Sequence, residues 1–339
     1  MNTKPILAIL LGDSAGIGPE LVAKSIASGF LMETCRPLII GDIRILEEAW
    51  SEIEHAPGVP DFDASVYIVS SPSEADWETA NGIPMLDQND QDPAVVEKAK
   101  VSAYCGRAVI DMFELACDLC KAGEIGGIVF APLNKAAMIA GGCPFNSEHE
   151  MLADIFRVTL PDSELNVLDN IMTTRVTSHI PIAKVSENLS IERILHAIEL
   201  AHKTAVSAGI TSSRIGVSAL NPHCGEDGNC GREEIDIISP AVKRAQEKGI
   251  GASGPYSADI LFIRAFKGEF DAVVTMYHDQ GQIALKLKGF ENGVTVAAGM
   301  PYPIATPAHG TAFDIAGKGI AFVTAFENAV KLVAKMAKK

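Results

Sequence analysis

Three histidines stand in polar or proline-bearing surroundings: Thr177-Ser178-His179-Ile180-Pro181, Asn221-Pro222-His223-Cys224-Gly225-Glu226 and Tyr277-His278-Asp279-Gln280-Gly281. Each falls at the end of an apolar run or in a loop, where binding groups are carried on a rigid frame. Three imidazoles are enough protein ligands for a catalytic divalent metal that keeps one position open for substrate. A chain with 8 histidines also admits the plain reading, in which each is a satisfied core or surface residue, and the wide spacing leaves convergence open. Two glycine-bearing segments could hold a second ligand. Gly12-Asp13-Ser14-Ala15-Gly16-Ile17-Gly18-Pro19-Glu20 lies between an apolar run and a helix pattern, with Pro19 placed for the first helical position. Its backbone N–H groups could hold an anion, or it could be a structural strand-to-helix turn; it is not the G-x-G-x-x-G dinucleotide fingerprint. In His309-Gly310-Thr311-Ala312-Phe313-Asp314-Ile315-Ala316-Gly317-Lys318-Gly319, the His-Gly-Thr turn lets backbone and imidazole approach a flat ring closely, and the stretch after it suits a helix start.

The elements that must carry these residues alternate along the chain. Ile6–Leu11, Pro37–Ile40, Val66–Val69, Ile125–Ala131, Arg214–Ala219, Ala272–Tyr277 and Ala321–Val323 read as strands. Pro19–Ala27, Val95–Lys121, Ile191–Ala208, Ser239–Lys248 and Glu327–Ala337 read as helices, and Gly82–Pro93, rich in Pro, Asn and Asp, as loop. This is an α/β pattern with a largely parallel sheet. At 339 residues the chain exceeds what one core usually supports, which predicts two domains, and the absence of a linker suggests that they are interleaved.

Composition removes whole classes of function. With 47% hydrophobic and 21% charged residues the chain is an ordinary globular sequence. A net charge of −15 excludes general nucleic-acid or anionic-membrane binding, which needs a basic footprint. The first apolar run is too short for a signal segment, and no run approaches the ~18 residues of a spanning helix, so the chain reads as soluble and cytoplasmic. Seven scattered cysteines make no disulfide framework. Cys117 and Cys120 form a C-x-x-C inside a helix pattern with no redox-type strand before it, which favours a structural role over redox or zinc chemistry.

The His309–Gly319 segment resembles the adenosine-binding loop of the isocitrate and isopropylmalate dehydrogenase group. Together with GDSAGIGPE, Ala131-Pro132-Leu133-Asn134-Lys135, Ser147-Glu148-His149-Glu150, TSHIP, LNPHCGE, Gly254-Pro255-Tyr256-Ser257-Ala258-Asp259 and MYHDQG with Lys286, it resembles the 4-hydroxythreonine-4-phosphate dehydrogenase family, in order and over nearly the whole chain. The resemblance implies an isocitrate/isopropylmalate dehydrogenase-like fold of two interleaved α/β/α domains with a cleft between them. The expected division is 1–125 plus 288–339 on the cofactor side, and 126–287 for metal, substrate and dimerisation. It implies a homodimer in which His179, His223 and His278, drawn from both subunits, bind one divalent metal. The family oxidises a secondary alcohol of a small hydroxy acid with NAD or NADP, and the β-keto acid loses carbon dioxide. His309, Gly310, Thr311 and Asp314 are the expected cofactor contacts. Asp259 and Asp279 are candidates for proton acceptor or for orienting the histidines, with helix or turn capping as their plain alternative. Lys286 is expected to bind a substrate carboxylate or phosphate as a point charge. Imidazoles suit zinc, cobalt or nickel, and neighbouring carboxylates would admit magnesium or manganese.

The chain also departs from that family. Glu148-His149 stands where the family has a His-Thr pair, Thr295 and Ile304 where it has Asn and Arg to hold substrate, Ala308 where an Asp precedes His-Gly-Thr, and Ser14 where the first motif has Pro. A lost guanidinium removes a phosphate clamp of about 1.5–3 kcal/mol, and an acid at position 148 repels a dianion. The expectation is therefore the family reaction with an altered substrate pocket. Alternatives are the same chemistry on a non-phosphorylated acid such as a cis-dihydrodiol carboxylate, or a non-catalytic metal-binding homologue.

Overall fold

The apolar run after the N-terminus forms β1 (Ile6–Leu10), buried along almost its whole length as a strand covered on both faces must be. The computed structural model describes residues 4–54, 59–78, 82–159 and 164–337. It divides into two units, Met1–Thr159 with Met300–Lys339, and Leu160–Gly299.

In the first unit β1 leads through the Gly12–Gly18 turn to α1 (Gly18–Ala27), then α2 (Phe30–Thr34), β2 (Arg36–Gly41), α3 (Ile43–Ser51), α4 (Phe62–Ser65), β3 (Val66–Ile68) and β4 (Ile83–Asp87). α5 (Ala103–Ala122), β5 (Gly127–Phe130), α6 (Lys135–Ala140) and α7 (Glu148–Phe156) follow. In the second unit come β6 (Leu165–Leu168), β7 (Ile171–Arg175), α8 (Ile191–Ser207), β8 (Ile215–Ser218), α9 (Ser239–Glu247), β9 (Ala252–Tyr256), α10 (Ala258–Phe266), β10 (Ala272–Thr275), α11 (His278–Gly289) and β11 (Val294–Val296). The chain returns to the first unit for β12 (Ile304–Pro307) and α12 (Thr324–Met336).

The strands of the first unit lie in the order β3-β4-β2-β1-β5-β12, every pair parallel. In the second unit the order is β11-β6-β7-β10-β8-β9; β6 runs antiparallel to both neighbours, and the pairs from β7 to β9 are parallel. The alternation therefore builds an α/β fold.

Several expected boundaries differ. Residues 126–159 sit in the first unit because β5 pairs with β1, Leu7 opposite Gly127, and 288–299 sit in the second because β11 pairs with β6. The expected loop 82–93 contains β4: its Ile-Pro-Met-Leu core is buried between β2 and β3, outweighing the Pro and Asp around it. The helix expected from Val95 begins only at Ala103, where the Ser102 side chain accepts from the Tyr104 N–H and caps it. Ala321–Val323 is not a strand but the lead into α12. Cys117 and Cys120 are buried on α5, and burial pushes both thiols up to about 12, which keeps them protonated and unreactive.

Candidate functional site

Parallel strands end on one edge of a sheet, and ligands of open α/β sheets bind outside those carboxyl ends. In the second unit four neighbouring strands do so together. His179 follows β7, His278 follows β10, His223 follows β8 and Asp259 follows β9. Side chains lace these exits to one another. Thr177 donates to the Met276 carbonyl through its N–H (3.1 Å) and its hydroxyl (2.8 Å). The Gln280 amide accepts from Met276 N–H and donates to the Ala219 carbonyl, both at 2.8 Å.

The His179 and His278 rings lie 5.7 Å apart, centroid to centroid. His278 Nδ1 is 2.7 Å from Asp279 Oδ1. A carboxylate only accepts, so Nδ1 is the donor, and in the neutral ring this leaves the lone pair on Nε2, the tautomer that a metal ligand needs. His223 occupies a different kind of segment. Residues His223 to Asp227 all have positive φ (51°, 56°, 78°, 46° and 56°), and four of the five are not glycine. Such residues cost on the order of 1–3 kcal/mol each and persist where the surroundings enforce them. The buried Glu234 anchors the chain where it enters this segment: Oε1 accepts from Leu220 N–H (2.9 Å) and Asn221 N–H (2.7 Å), and Oε2 from Asn221 Nδ2 (3.0 Å). Burial raises the Cys224 thiol, with the Glu234 and Asp259 charges adding to the effect, which puts exposed Asp259 within electrostatic reach of this loop. Among the described residues of one chain, no three His, Cys, Asp or Glu side chains form a metal-holding group. His179 and His278 are brought together; His223 does not complete a trio with them.

Lys286 lies on α11, exposed, eight residues beyond His278. Thr295, on β11, accepts a hydrogen bond from Asn166 Nδ2 at 3.0 Å. Through that contact it joins a buried polar network which the sequence reading missed, built from Asn166, Arg175 and Gln282. An arginine closing a strand four residues before a loop histidine was the available signal.

In the first unit the chain leaves β1 toward β2 on one side while β5 lies on the other, a topological switch point. Three turns converge at its carboxyl edge: Gly12–Gly18 after β1, Ala131–Lys135 after β5 and Ala308–Thr311 after β12. Asp13 N–H donates to the Pro132 carbonyl (3.0 Å) and Ile17 N–H to the Thr311 carbonyl (3.1 Å). A Cβ on Gly16 would lie 2.8 Å from Thr311 Cβ, so only glycine lets these turns touch. Gly310, by contrast, has open space around it, and half-buried His309 flanks it with Nδ1 3.1 Å from the Gly310 carbonyl. Residues 313–317 form turns rather than the expected helix start, because Ala312 and Gly317 take left-handed backbone. Asp314 is exposed there. Beyond it Lys24 donates to the Gly319 and Ala321 carbonyls (2.9 and 2.8 Å), and Glu20 accepts from Ala321 N–H (2.7 Å), fixing the far limb of the segment to α1.

Ile304 is wholly buried as the first residue of β12, opposite Ile128. Glu148 opens α7 with 14% of its side chain exposed, its Oε2 3.4 Å from Lys135 Nζ; His149 beside it is buried. The N-terminus of α7 is already supplied with acceptors, since Ser147 Oγ accepts from Glu150 N–H and Glu150 Oε2 from Asn146 N–H.

Asp13 is 1% exposed; Oδ1 accepts from Ala15 N–H at 3.0 Å and Oδ2 has no hydrogen-bond partner among the described residues. Burial raises its pKa to about 6 against the opposing Ala15 N–H and Lys98 charge. Burial, reinforced by Asp42, likewise lifts Asp90 to about 6. A carboxyl held above its unfolded value of 3.8 binds its proton more tightly when folded, so stability is lost as pH rises from near 4 through 6. Asp13→Asn removes this share of the loss while keeping an acceptor for Ala15. Its melting-temperature advantage over wild type is expected to grow between pH 4 and 6.5 and then level, within a ceiling of about 3 kcal/mol. A difference that stays flat over that range would refute the assignment.

A topological switch point and a row of parallel-strand ends frame the two candidate regions, and the chain is an NAD(P)-dependent oxidoreductase of a kind that uses a divalent metal. It belongs to the family described as "Pyridoxal phosphate biosynthetic protein PdxA", which matches residues 33–333. A D-threonate 4-phosphate dehydrogenase of Cupriavidus necator is 38% identical to it, over 98% of this chain and 97% of that one. The crystal structure of a 4-hydroxythreonine-4-phosphate dehydrogenase from Burkholderia phymatum is 37% identical and superposes with a TM-score of 0.83, covering 100% of both chains. That of a terephthalate 1,2-cis-dihydrodiol dehydrogenase from Burkholderia xenovorans is 25% identical with a TM-score of 0.68, covering 98% of both. The fold is also shared by a β-decarboxylating dehydrogenase from Thermococcus kodakarensis, 14% identical with a TM-score of 0.50, covering 96% of this chain and 81% of that one. No helix among the described residues is long and apolar enough to cross a membrane.

Proposed function

We propose that the chain oxidises the secondary alcohol of a small hydroxy acid with NAD or NADP, that the β-keto acid then loses carbon dioxide, and that His179, His223 and His278 from two copies hold the divalent ion. The observation that carries this reading is the His179–His278 pair with Asp279 on His278 Nδ1. The donor set fits: neutral imidazoles suit zinc, cobalt or nickel, and Asp259 and Asp279 would admit magnesium or manganese. When bound, the ion supplies a Lewis acid for the substrate oxygen. Asp279 keeps the His278 tautomer fixed, Lys286 offers a point charge to a carboxylate or phosphate, and Asp259 is the candidate acceptor for the hydroxyl proton. His309, Gly310, Thr311 and Asp314 would take the adenosine half of the cofactor.

A homodimer is supported by the helices that start beside the site. Ile260 and Ile263 on α10, and Ile283 and Leu287 on α11, are exposed, Leu287 by 84%, and a second copy would cover them.

Phosphorylated acids are the first substrates to test, since a relative at 38% identity is named for one. The Glu148–Lys135 pair favours a second reading, a non-phosphorylated acid such as a cis-dihydrodiol carboxylate, because Lys135 already faces a carboxylate and a dianion beside it would be repelled. The test is NAD and NADP reduction at saturating metal with 4-phosphohydroxythreonine and D-threonate 4-phosphate against non-phosphorylated acids. In Glu148→Gln, kcat/KM for a phosphorylated acid relative to a non-phosphorylated one is expected to rise about tenfold, near 1.4 kcal/mol. Wild-type turnover confined to phosphorylated acids, with that ratio unchanged in the variant, would exclude the second reading. No reduction with any acid would sink the proposal.

A further inference from the structure

Arg175 is 5% exposed and lies where β7 ends, four residues before His179. Its three guanidinium nitrogens all have partners. Nε donates to Ser178 Oγ at 3.0 Å, Nη1 to Asn166 Oδ1 at 3.0 Å and Nη2 to Glu164 Oε2 at 2.6 Å. Asn166 Oδ1 also accepts from Gln282 Nε2 at 2.6 Å, and Asn166 Nδ2 donates to Thr295 Oγ1 at 3.0 Å. Ser178 is the residue before His179, and Gln282 sits one helical turn beyond His278 on α11. One buried guanidinium and one amide oxygen thus join the segment carrying each histidine of the pair, and the same amide reaches Thr295.

Burying a guanidinium carries a large desolvation cost that its partner's charge and hydrogen bonds do little more than offset, so a buried ion pair is weak evidence for net stability even though losing one partner alone is destabilising. The Arg175–Glu164 pair is therefore a weaker explanation for stability than for geometry. The planar fork fixes three acceptors at defined directions, which Lys cannot do. Outer groups that orient metal ligands act this way, and losing them lowers metal affinity on the order of 10–100-fold.

We propose that Arg175 and Asn166 are positioning residues that hold His179 and His278 at their mutual spacing, so that ion binding and the Thr295 side of the site are set by one network. The inference rests on the proposed metal role of the two histidines. In the full-length protein, Arg175→Met is expected to weaken cobalt(II) binding about 10–100-fold, read by titration calorimetry and by the visible absorption of the bound ion. The fold should persist by circular dichroism, and the affinity for NADH, read by its fluorescence, should stay within twofold. Arg175→Lys, which restores charge but not the fork, should recover only part of the loss. Ser178→Ala and Gln282→Leu each cut one arm of the network, should weaken cobalt binding by smaller factors, and serve if the Arg175→Met protein does not fold. Arg214→Ala, which breaks an exposed ion pair with Asp271 in the same unit, should leave cobalt binding unchanged. Cobalt affinity within twofold of wild type in a folded Arg175→Met protein, or in both single-arm variants, would overturn the positioning role alone. A wild-type protein that binds no divalent ion would overturn this inference together with the metal reading.

Discussion

Replacing His278 with alanine is expected to lower kcat/KM roughly a thousandfold, about 4 kcal/mol of transition-state stabilisation, because the proposed three-histidine set would lose one of its imidazoles and, with the ion weakly held, the Lewis acid it would supply. Steady-state NAD reduction checks this, with a parallel titration of the divalent ion. The change should be local. His278 begins α11 and is partly exposed, so little packing disappears with the ring, and NADH affinity should hold because the His-Gly-Thr turn belongs to the other unit. Asp279→Asn gives a graded comparison. An amide can still present an oxygen to His278 Nδ1, but without the charge that fixes the tautomer, so a loss between tenfold and a hundredfold is expected. Retention of more than a tenth of wild-type activity by His278→Ala would remove this residue from the ligand set.

Gly106→Ala should cost at least about 3 kcal/mol of unfolding free energy, a large effect for a single methyl group. Gly106 is the fourth residue of α5, where alanine would ordinarily help by up to ~1 kcal/mol. A Cβ there would stand 1.8 Å from the Ala137 carbonyl oxygen and 2.2 Å from its carbon, both backbone atoms of α6. No rotamer relieves a clash with backbone, so α6 must move, and overpacking strain of this kind reaches 1–3 kcal/mol and more. On the other side of the contact, a Cβ on Gly141 would lie 2.4 Å from Arg107 N. Denaturant unfolding measures the cost. Gly123→Ala, at a left-handed helix end with open space around it, is the comparison and should lose only about 1 kcal/mol. A Gly106→Ala protein within 0.5 kcal/mol of wild type, on the order of ordinary surface substitutions, would show that α5 and α6 do not touch backbone to backbone.

Much of the frame could be read from residue order because buried parallel strands are continuous apolar runs: Ile6–Leu11, Pro37–Ile40 and Ala272–Tyr277 stand out for that reason. Strands whose burial comes from pairing rather than composition do not. Ile171–Arg175 contains two threonines and an arginine, Ala252–Tyr256 a glycine and a proline, and Val294–Val296 is three residues long. The candidate site divides in the same way. His179, His278 and the His-Gly-Thr turn are visible because histidine is scarce in this chain, 8 in 339 residues, and these three stand in polar, proline- or glycine-bearing surroundings. The joining of His179 to His278 through Arg175, Asn166 and Gln282 spans more than a hundred residues of sequence and depends on strand order, which no local pattern encodes. Ile304 illustrates the reverse error of attention: a residue singled out for a pocket is sealed inside β12, because a side chain's direction follows sheet pairing rather than neighbouring motifs.

The candidate groups of the second unit all follow its parallel strands at one edge, and the opposite edge, where β8 and β10 begin, carries the Arg214–Asp271 ion pair. That far edge is a ready handle. A fluorophore, an affinity tag or a surface tether placed beside residue 214 would sit at the opposite strand ends from His179, His223 and His278, away from the side on which substrate is proposed to bind.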